Sequence, residues 1–344
     1  MRKSGYGRQA EKRRSGGLKW IYRTVVAVSA VVVMTYVALT ATIQAPEFAQ
    51  AAGVSSYGST DTNIQYQNPK SETGINARKD LCYTFLIAAS DNGNGNADTI
   101  MLATYNVPEK KIGLVSIPRD TIVETSRGTP KINSAYAKGM DVLLAEVSGL
   151  VGYPIDFYVS IEMDAFVRLV DQVGGLHFNV PIDMNYDDPA QHLSIHYKSG
   201  YQLLTGQQAL EVARFRNNNS HSGGYPIPDV GRTETQQAIL VTLAKRIISW
   251  DNILQVNDFV KIISENVETN LTLNDMLYFA SEAVLMSTDN ISTGTLPGDG
   301  TKSYRGAKWC YELYPEESLA LLNQLVNPYR ADLTLDDVNF IRAN

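Results

Sequence analysis

The sequence predicts a layered α/β or α+β domain, in its favoured form a three-layer α/β/α sandwich with a central mixed sheet, preceded by an N-terminal transmembrane helix. Three observations carry this. Short apolar runs alternate with longer helical periodicities over residues 80–330, with no internal repeat, and such a mixture buries its apolar faces by stacking helices on a sheet. The first three runs, residues 81–88, 99–105 and 111–117, are separated by Asn, Gly and Pro, so the domain opens with closely spaced strands. Residues 24–43 are uncharged and rich in Val and Ala; at about 1.5 Å per helical residue they span about 30 Å, the thickness of a bilayer's hydrocarbon core.

From the N-terminus, residues 1–23 form a basic tail in which Arg2, Lys3, Arg8, Lys12, Arg13, Arg14, Lys19 and Arg23 face the single acid Glu11. Such a flank marks the cytoplasmic side, so the chain beyond the anchor at residues 24–43 is expected outside the cell membrane, as a single-pass protein. A cleaved signal peptide is the alternative, with Ala49-Gln50-Ala51 as its cleavage pattern, but the apolar run exceeds the usual signal core and the site falls late. Residues 44–79, rich in Ser, Thr, Asn, Gln and Gly, form a linker. Within the domain, helical patterns lie at residues 134–150, 163–173, 205–213, 232–250, 254–265, 274–287 and 315–326. Further strand patterns lie at 155–159, 177–180 and 291–296, and residues 331–344 form a C-terminal tail. The apolar positions of 142–150 and 166–173 line either a lipid tunnel or plain core, the commoner role of such stripes.

Charge narrows the function. Of 30 Lys and Arg and 36 Asp and Glu, eight bases and one acid precede the anchor, leaving 22 against 35, a charge of −13 outside. A broad nucleic-acid surface is excluded. About twenty cytoplasmic residues are also too few for a folded DNA-binding domain. Cys82 and Cys310 are the only cysteines; one bridge between them is possible in an oxidising compartment, and two separately buried thiols are the favoured reading.

Four constellations carry chemistry. Ser116-Ile117-Pro118-Arg119-Asp120 ends a strand at its carboxyl end, where ligands commonly bind in open α/β sheets. Arg214-Phe215-Arg216 leaves a helix; in an extended chain both arginines face one way and Phe215 the core, and two guanidinium forks can grip neighbouring phosphate oxygens. Asp229 after Pro228 reads as an N-cap, with Arg232 and Gln236 projecting one turn apart near the positive end of a helix, a natural anion site. Asp91 and Asp98 bracket an Asn-Gly loop between two strands. Mg²⁺ is usually held by one or two carboxylates plus phosphate oxygens, so two strand-end aspartates would suffice, with Mn²⁺ as the alternative ion. The loop fails as a calcium loop, because Gly93 and Leu102 stand at ligand positions. His192 and His196 lack the Glu of a zinc-protease motif.

In this order, with Lys131-Ile132-Asn133 between them, with Asp171-Gln172-Val173-Gly174-Gly175 and with Tyr186-Asp187-Asp188-Pro189-Ala190, the motifs resemble those of the LytR-CpsA-Psr family of cell-wall phosphotransferases. The resemblance implies an α/β/α domain holding a polyprenyl chain in an apolar tunnel with its pyrophosphate at the mouth. It implies transfer of a teichoic acid-like or capsular glycopolymer from that lipid carrier to peptidoglycan, assisted by Mg²⁺. It makes Asp91 and Asp98 metal ligands. It makes Arg119, Lys131, Arg214, Arg216, Arg232 and Gln236 pyrophosphate-binding residues; the acceptor hydroxyl needs a base, for which Asp120 and Asp229 are the candidates, so Arg119, Asp120 and Asp229 are the expected catalytic residues. Asn96 and Thr235 stand where many members carry arginine. A lipid-pyrophosphate hydrolase and a non-catalytic binder of lipid-linked polymer are the alternatives.

Overall fold

The computed structural model describes residues 44–48, 77–90, 95–191, 193–220, 223–248, 267–284, 286–287 and 290–343. The basic tail, the expected anchor, most of the linker, the helix expected at 254–265, and Asp91 and His192 lie outside them, as does the side chain of Asp229. No described helix is long and apolar enough to cross a membrane. The chain divides into two compact units, Met1–Pro46 with Leu273–Tyr278, and Glu47–Thr272 with Phe279–Asn344. In the first, Asn274 Nδ2 donates to the Gln44 carbonyl at 3.1 Å. The second holds the fold described below.

Its frame is a six-stranded mixed sheet. The three strands expected at its start form as β1 (Cys82–Ser90), β2 (Thr99–Asn106) and β3 (Lys111–Ser116), paired antiparallel in sequence order. Strand β4 (Phe157–Glu162) joins β1 in parallel and carries the short β9 (Val267–Thr269) on its far side; β10 (Ile291–Thr295) joins β3 in parallel. The order is β10-β3-β2-β1-β4-β9. Successive residues of a strand point to opposite faces, so alternate positions share one. Leu86, Ala88, Ile100, Leu102 and Val115 therefore pack on one face, against Leu143, Val147 and Leu150 of α2 (Met140–Val151) and Leu322 of α7 (Pro315–Leu325). Phe85, Ile87, Met101, Ala103 and Leu114 occupy the other, against Leu240 and Val241 of α5 (Pro228–Ile248).

A second core gathers beside the sheet. Here α3 (Met163–Gln172) and α4 (Gly206–Arg214) pack with two antiparallel pairs, β5 (Leu176–Val180) with β8 (Gly200–Leu204) and β6 (Met184–Asp188) with β7 (Leu193–Tyr197). Helix α6 (Leu273–Val284) precedes β10, and the hairpin β11 (Gly298–Tyr304) and β12 (Ala307–Leu313) precedes α7.

Several expectations are corrected. The helix expected at 134–150 is broken into α1 (Asn133–Tyr136) and α2, because Gly139 takes φ +113°, outside any helix. The apolar stripe of α2 is plain core beneath the sheet, the commoner of its two expected roles, and of α3 only Met163 and Phe166 reach the cavity described below. Residues 331–343 are no loose tail: Leu333 is 3% exposed, and the Asn339 N–H donates to the Leu150 carbonyl at 3.2 Å. Three apolar residues there, Leu333, Val338 and Phe340, join the core and are masked in sequence by acidic neighbours. Cys82 and Cys310 are separate buried thiols, and burial pushes the Cys82 thiol up to about 11.

Candidate functional site

The antiparallel pairing of β2 with β3 sets Met101 opposite Ser116, which brings Asp98 and Arg119, three residues beyond on either strand, to one edge. There the Arg119 guanidinium pairs with the Asp98 carboxylate through Nη1 and Oδ1. The Lys131-Ile132-Asn133 segment fastens this edge from below. Asn133 takes the Arg119 carbonyl at 3.1 Å through its N–H, and its own carbonyl accepts from Ala97 N–H at 3.3 Å. Ile132 is fully buried, and Lys131 Nζ lies 3.1 Å from Asp120 Oδ1. Lys131 thus meets the site through Asp120.

The paired arginines arrive from α4. Thr205 caps this helix with a capping box to Gln208, and the Asp171 carboxylate accepts from the Gly206 N–H at 2.7 Å. At the far end the chain turns extended at Phe215 (φ −62°, ψ 135°), whose ring is fully buried against Tyr225. As the alternation predicts, Arg214 and Arg216 both face a common cavity.

Arg232 and Gln236 come from α5. This helix starts at Pro228, four residues before the expected position, and the Gly231 N–H already bonds the Ile227 carbonyl at 3.0 Å, so Asp229 lies within the first turn instead of capping it. Proline at the first helical position needs no N–H partner, which moves the start earlier. Gly231 is required: a Cβ there would stand 2.2 Å from the Tyr225 ring. Arg232 is 9% exposed. Gln236 accepts from the Thr99 hydroxyl at 3.2 Å and donates to the Ala213 carbonyl at 3.2 Å, tying β2 to the end of α4. Thr235 is buried, with its hydroxyl 2.6 Å from Tyr225 Oη and donating to the Gly231 carbonyl at 2.9 Å.

These residues surround two adjoining cavities. The larger, about 530 Å³, has walls of Ile87, Ile161, Phe166, Leu193, Leu210 and Leu240 and ends at Asp98, Arg119, Arg214, Arg216, Arg232 and Gln236. The smaller, about 290 Å³, shares Asp98, Thr99, Arg119, Arg216, Arg232 and Gln236 and extends past Asp120 to Trp309 and Tyr311 of the β11–β12 hairpin. Of the residues expected at the site, Asp98, Arg119, Asp120, Arg214, Arg216, Arg232 and Gln236 line one or both cavities, and Lys131 sits behind Asp120. An apolar chamber closed by cations suits a ligand with a hydrocarbon tail and an anionic head.

Sequence reading missed several lining residues. Asn217, Asn218 and Asn219 follow Arg216 along the larger cavity. The Asn218 and Asn219 side-chain carbonyls accept from the N–H groups of Asn185 and Asp187 at 2.7 and 2.6 Å, which fixes the segment to β6. Tyr186 also lines this cavity; burial, then the neighbouring Asp188, pushes its phenol above the ordinary range, so it stays a neutral donor. Run as Arg-Asn-Asn-Asn in sequence, the segment reads only as a turn.

For a divalent ion, the described part of the expected site is one partly exposed carboxylate, Asp98, beside the Thr99 hydroxyl at the junction of both cavities. These are hard oxygen donors of the kind that suits Mg²⁺, which takes few protein ligands and fills its shell with phosphate oxygens and water, and the carboxylate is paired here with Arg119. Among the described residues no group of three or more His, Cys, Asp or Glu gathers as a metal cage.

The model of the LytR_cpsA_psr family matches residues 50–327. A teichoic acid transferase of Bacillus subtilis, the polyisoprenyl-teichoic acid–peptidoglycan transferase TagV, is 31% identical over 66% of this chain and 58% of its own length. The corresponding TagU of Bacillus mycoides is 31% identical over 77% of this chain and 83% of its own. The alignment thus spans little more than half of TagV. In three dimensions, the crystal structure of Bacillus subtilis TagV superposes with a TM-score of 0.59 at 28% identity, covering 70% of this chain and 94% of that one. The matched span contains both cavities, and the chain belongs to the LytR_cpsA_psr family.

Proposed function

We propose that this protein transfers a glycopolymer, teichoic acid-like or capsular, from a polyprenyl-pyrophosphate carrier to peptidoglycan by phosphoryl transfer. One observation supports it above the others: an apolar cavity of about 530 Å³ ends in four arginines, of which three, Arg119, Arg216 and Arg232, also line a second cavity holding a carboxylate. The hydrocarbon lies along Phe166, Leu193, Leu210 and Leu240, and the pyrophosphate sits among Arg119, Arg214, Arg216 and Arg232. A hydroxyl of the acceptor attacks the phosphorus that carries the polymer. The phosphoanhydride bond breaks, the polymer is left joined to peptidoglycan through a phosphodiester, and polyprenyl phosphate departs. Asp120 receives the hydroxyl proton, with Lys131 fixing the carboxylate; Asp229 is the other candidate base. Mg²⁺, or Mn²⁺ in its place, would be held by Asp98 with Asp91 and would supply further neutralisation of phosphate charge. The four guanidinium groups orient the pyrophosphate and disperse the charge that builds on the leaving phosphate.

The same reading places the domain outside the cell membrane, anchored through residues 24–43 with the basic tail inside, where lipid carrier and peptidoglycan are both within reach. The test is to incubate the full-length protein in detergent with lipid-linked pyrophosphate oligosaccharide, peptidoglycan and Mg²⁺. A covalent glycan–peptidoglycan adduct is expected, abolished by chelation. No adduct with the substrate left intact contradicts the proposal, and sugar phosphate released without peptidoglycan makes the site a hydrolase.

A further inference from the structure

The β11–β12 hairpin carries a residue that the pyrophosphate site does not explain. Trp309 is 68% exposed, although it lines the smaller cavity, and its backbone is left-handed at φ +57°. A bulky residue with positive φ is an outlier that surrounding structure must impose. The hairpin register shows how. Lys302 pairs with Cys310 and Ser303 with Lys308, so Trp309 is the extra residue of a β-bulge, and a second shift between Asp299 and Lys302 leaves an extra residue on the opposite strand. Bulges re-aim side chains at strand edges.

The bulged segment is held rigidly beside the reacting groups. Tyr311 N–H donates to the Asp120 carbonyl at 2.8 Å, and Ile122 N–H returns a bond to the Tyr311 carbonyl at 3.0 Å. At the tip of the hairpin, Arg305 reaches across to Glu124 at 2.5 Å and to the Thr125 carbonyl at 2.8 Å. The indole therefore stands on the strand that is bonded to Asp120, two residues before Tyr311, which makes the bond. The same cavity is lined by Asp120, Thr233 and Thr295. An open aromatic face with hydroxyl and carboxylate groups near it matches a sugar ring, whose C–H face is apolar and whose rim is hydroxyl. At about 290 Å³ the cavity is near the lower end, roughly 300 Å³, of small-ligand sites.

We infer that the smaller cavity is a saccharide subsite in which one sugar ring lies against Trp309, directly beside the arginine cluster. The inference rests on reading that cluster as a pyrophosphate site. Two sugars have the right chemistry, the first sugar of the lipid-linked donor and the acceptor sugar of peptidoglycan, and binding distinguishes them. Affinities of the full-length protein in detergent are measured for three probes: sugar-free polyprenyl pyrophosphate, the same lipid bearing its oligosaccharide, and a soluble peptidoglycan-derived disaccharide peptide. Trp309→Ala is expected to weaken one sugar-bearing probe about tenfold, as the loss of a central tryptophan contact commonly does. Binding of the sugar-free lipid stays unchanged, and Trp309→Phe retains most of the affinity. Loss confined to the lipid-linked oligosaccharide assigns the subsite to the donor; loss confined to the disaccharide peptide assigns it to the acceptor. Equal affinities of wild type and variant for both sugar probes, or an equal loss for the sugar-free lipid, overturns the subsite. Failure of wild type to bind the sugar-free lipid at all instead rejects the pyrophosphate reading, while the disaccharide arm still reads the subsite.

Discussion

Arg232 and Thr235 sit one turn apart on α5, yet only the arginine reaches the cavities. Thr235, which stands where the family resemblance leads one to expect an arginine, is enclosed by Tyr225 and the Gly231 carbonyl and is 4% exposed. It is a structural residue of this helix. Thr235→Arg should therefore not add a phosphate clamp. It should force a charge into the space of the Tyr225 hydroxyl and destabilise the domain by about 3 kcal/mol, a cost typical of overpacking and of burying an unpaired charge. Denaturant unfolding of wild type and variant checks this; equal stability with stronger lipid binding would contradict it. At this scale sequence reads some contacts and not others. The Arg214-Phe215-Arg216 alternation is legible because it depends only on neighbours along the chain. The Asp98–Arg119 pair is not, because it depends on the β2–β3 register, which a one-residue slip would undo.

Among the elements, α4 shows how the scaffold aims the site. Its start is fixed by the Thr205 capping box and by the Asp171 carboxylate on the Gly206 N–H, and its end delivers Arg214 and Arg216. Asp171→Ala removes that acceptor and should cost about 1 kcal/mol, the usual loss for a helix-terminal hydrogen bond. Because the helix would then seat less firmly, lipid pyrophosphate binding should weaken several-fold; unchanged binding would show that α4 is held by packing alone. Elements with a strong period were readable, among them β1 to β3, α3, α4 and α7. Of the pairs β5–β8 and β6–β7, β5 was legible as the strand expected at 177–180, and β6, β7 and β8 were hidden. Strand β6 buries only Met184 and β8 only Leu204, too little alternation to separate them from loops. The β11–β12 hairpin was hidden for the same reason: its first strand, Gly298–Tyr304, has no fully buried residue, and its bulges break the period of two.

Over the whole folded unit, the sheet divides the work. Its one face, under α2 and α7, is closed core. On the other side the second core of α3, α4 and β5 to β8 stands beside α5, and the larger cavity is lined from both. The smaller cavity lies toward β3 and the hairpin, so the two meet at the β2 and β3 edge where Asp98 and Arg119 pair. The larger apolar chamber, the arginine cluster and the smaller chamber thus follow one another in space. Beyond residue 43 the chain has 35 acidic against 22 basic residues, so the arginine cluster stands against a net charge of −13 that composition alone makes legible. The measurement that tests this arrangement most directly is a crystal structure of the protein bound to a polyprenyl pyrophosphate. The pyrophosphate is predicted among Arg119, Arg214, Arg216 and Arg232, with the hydrocarbon along Phe166, Leu193 and Leu210. A pyrophosphate bound elsewhere, or a lipid outside the larger cavity, would contradict the account.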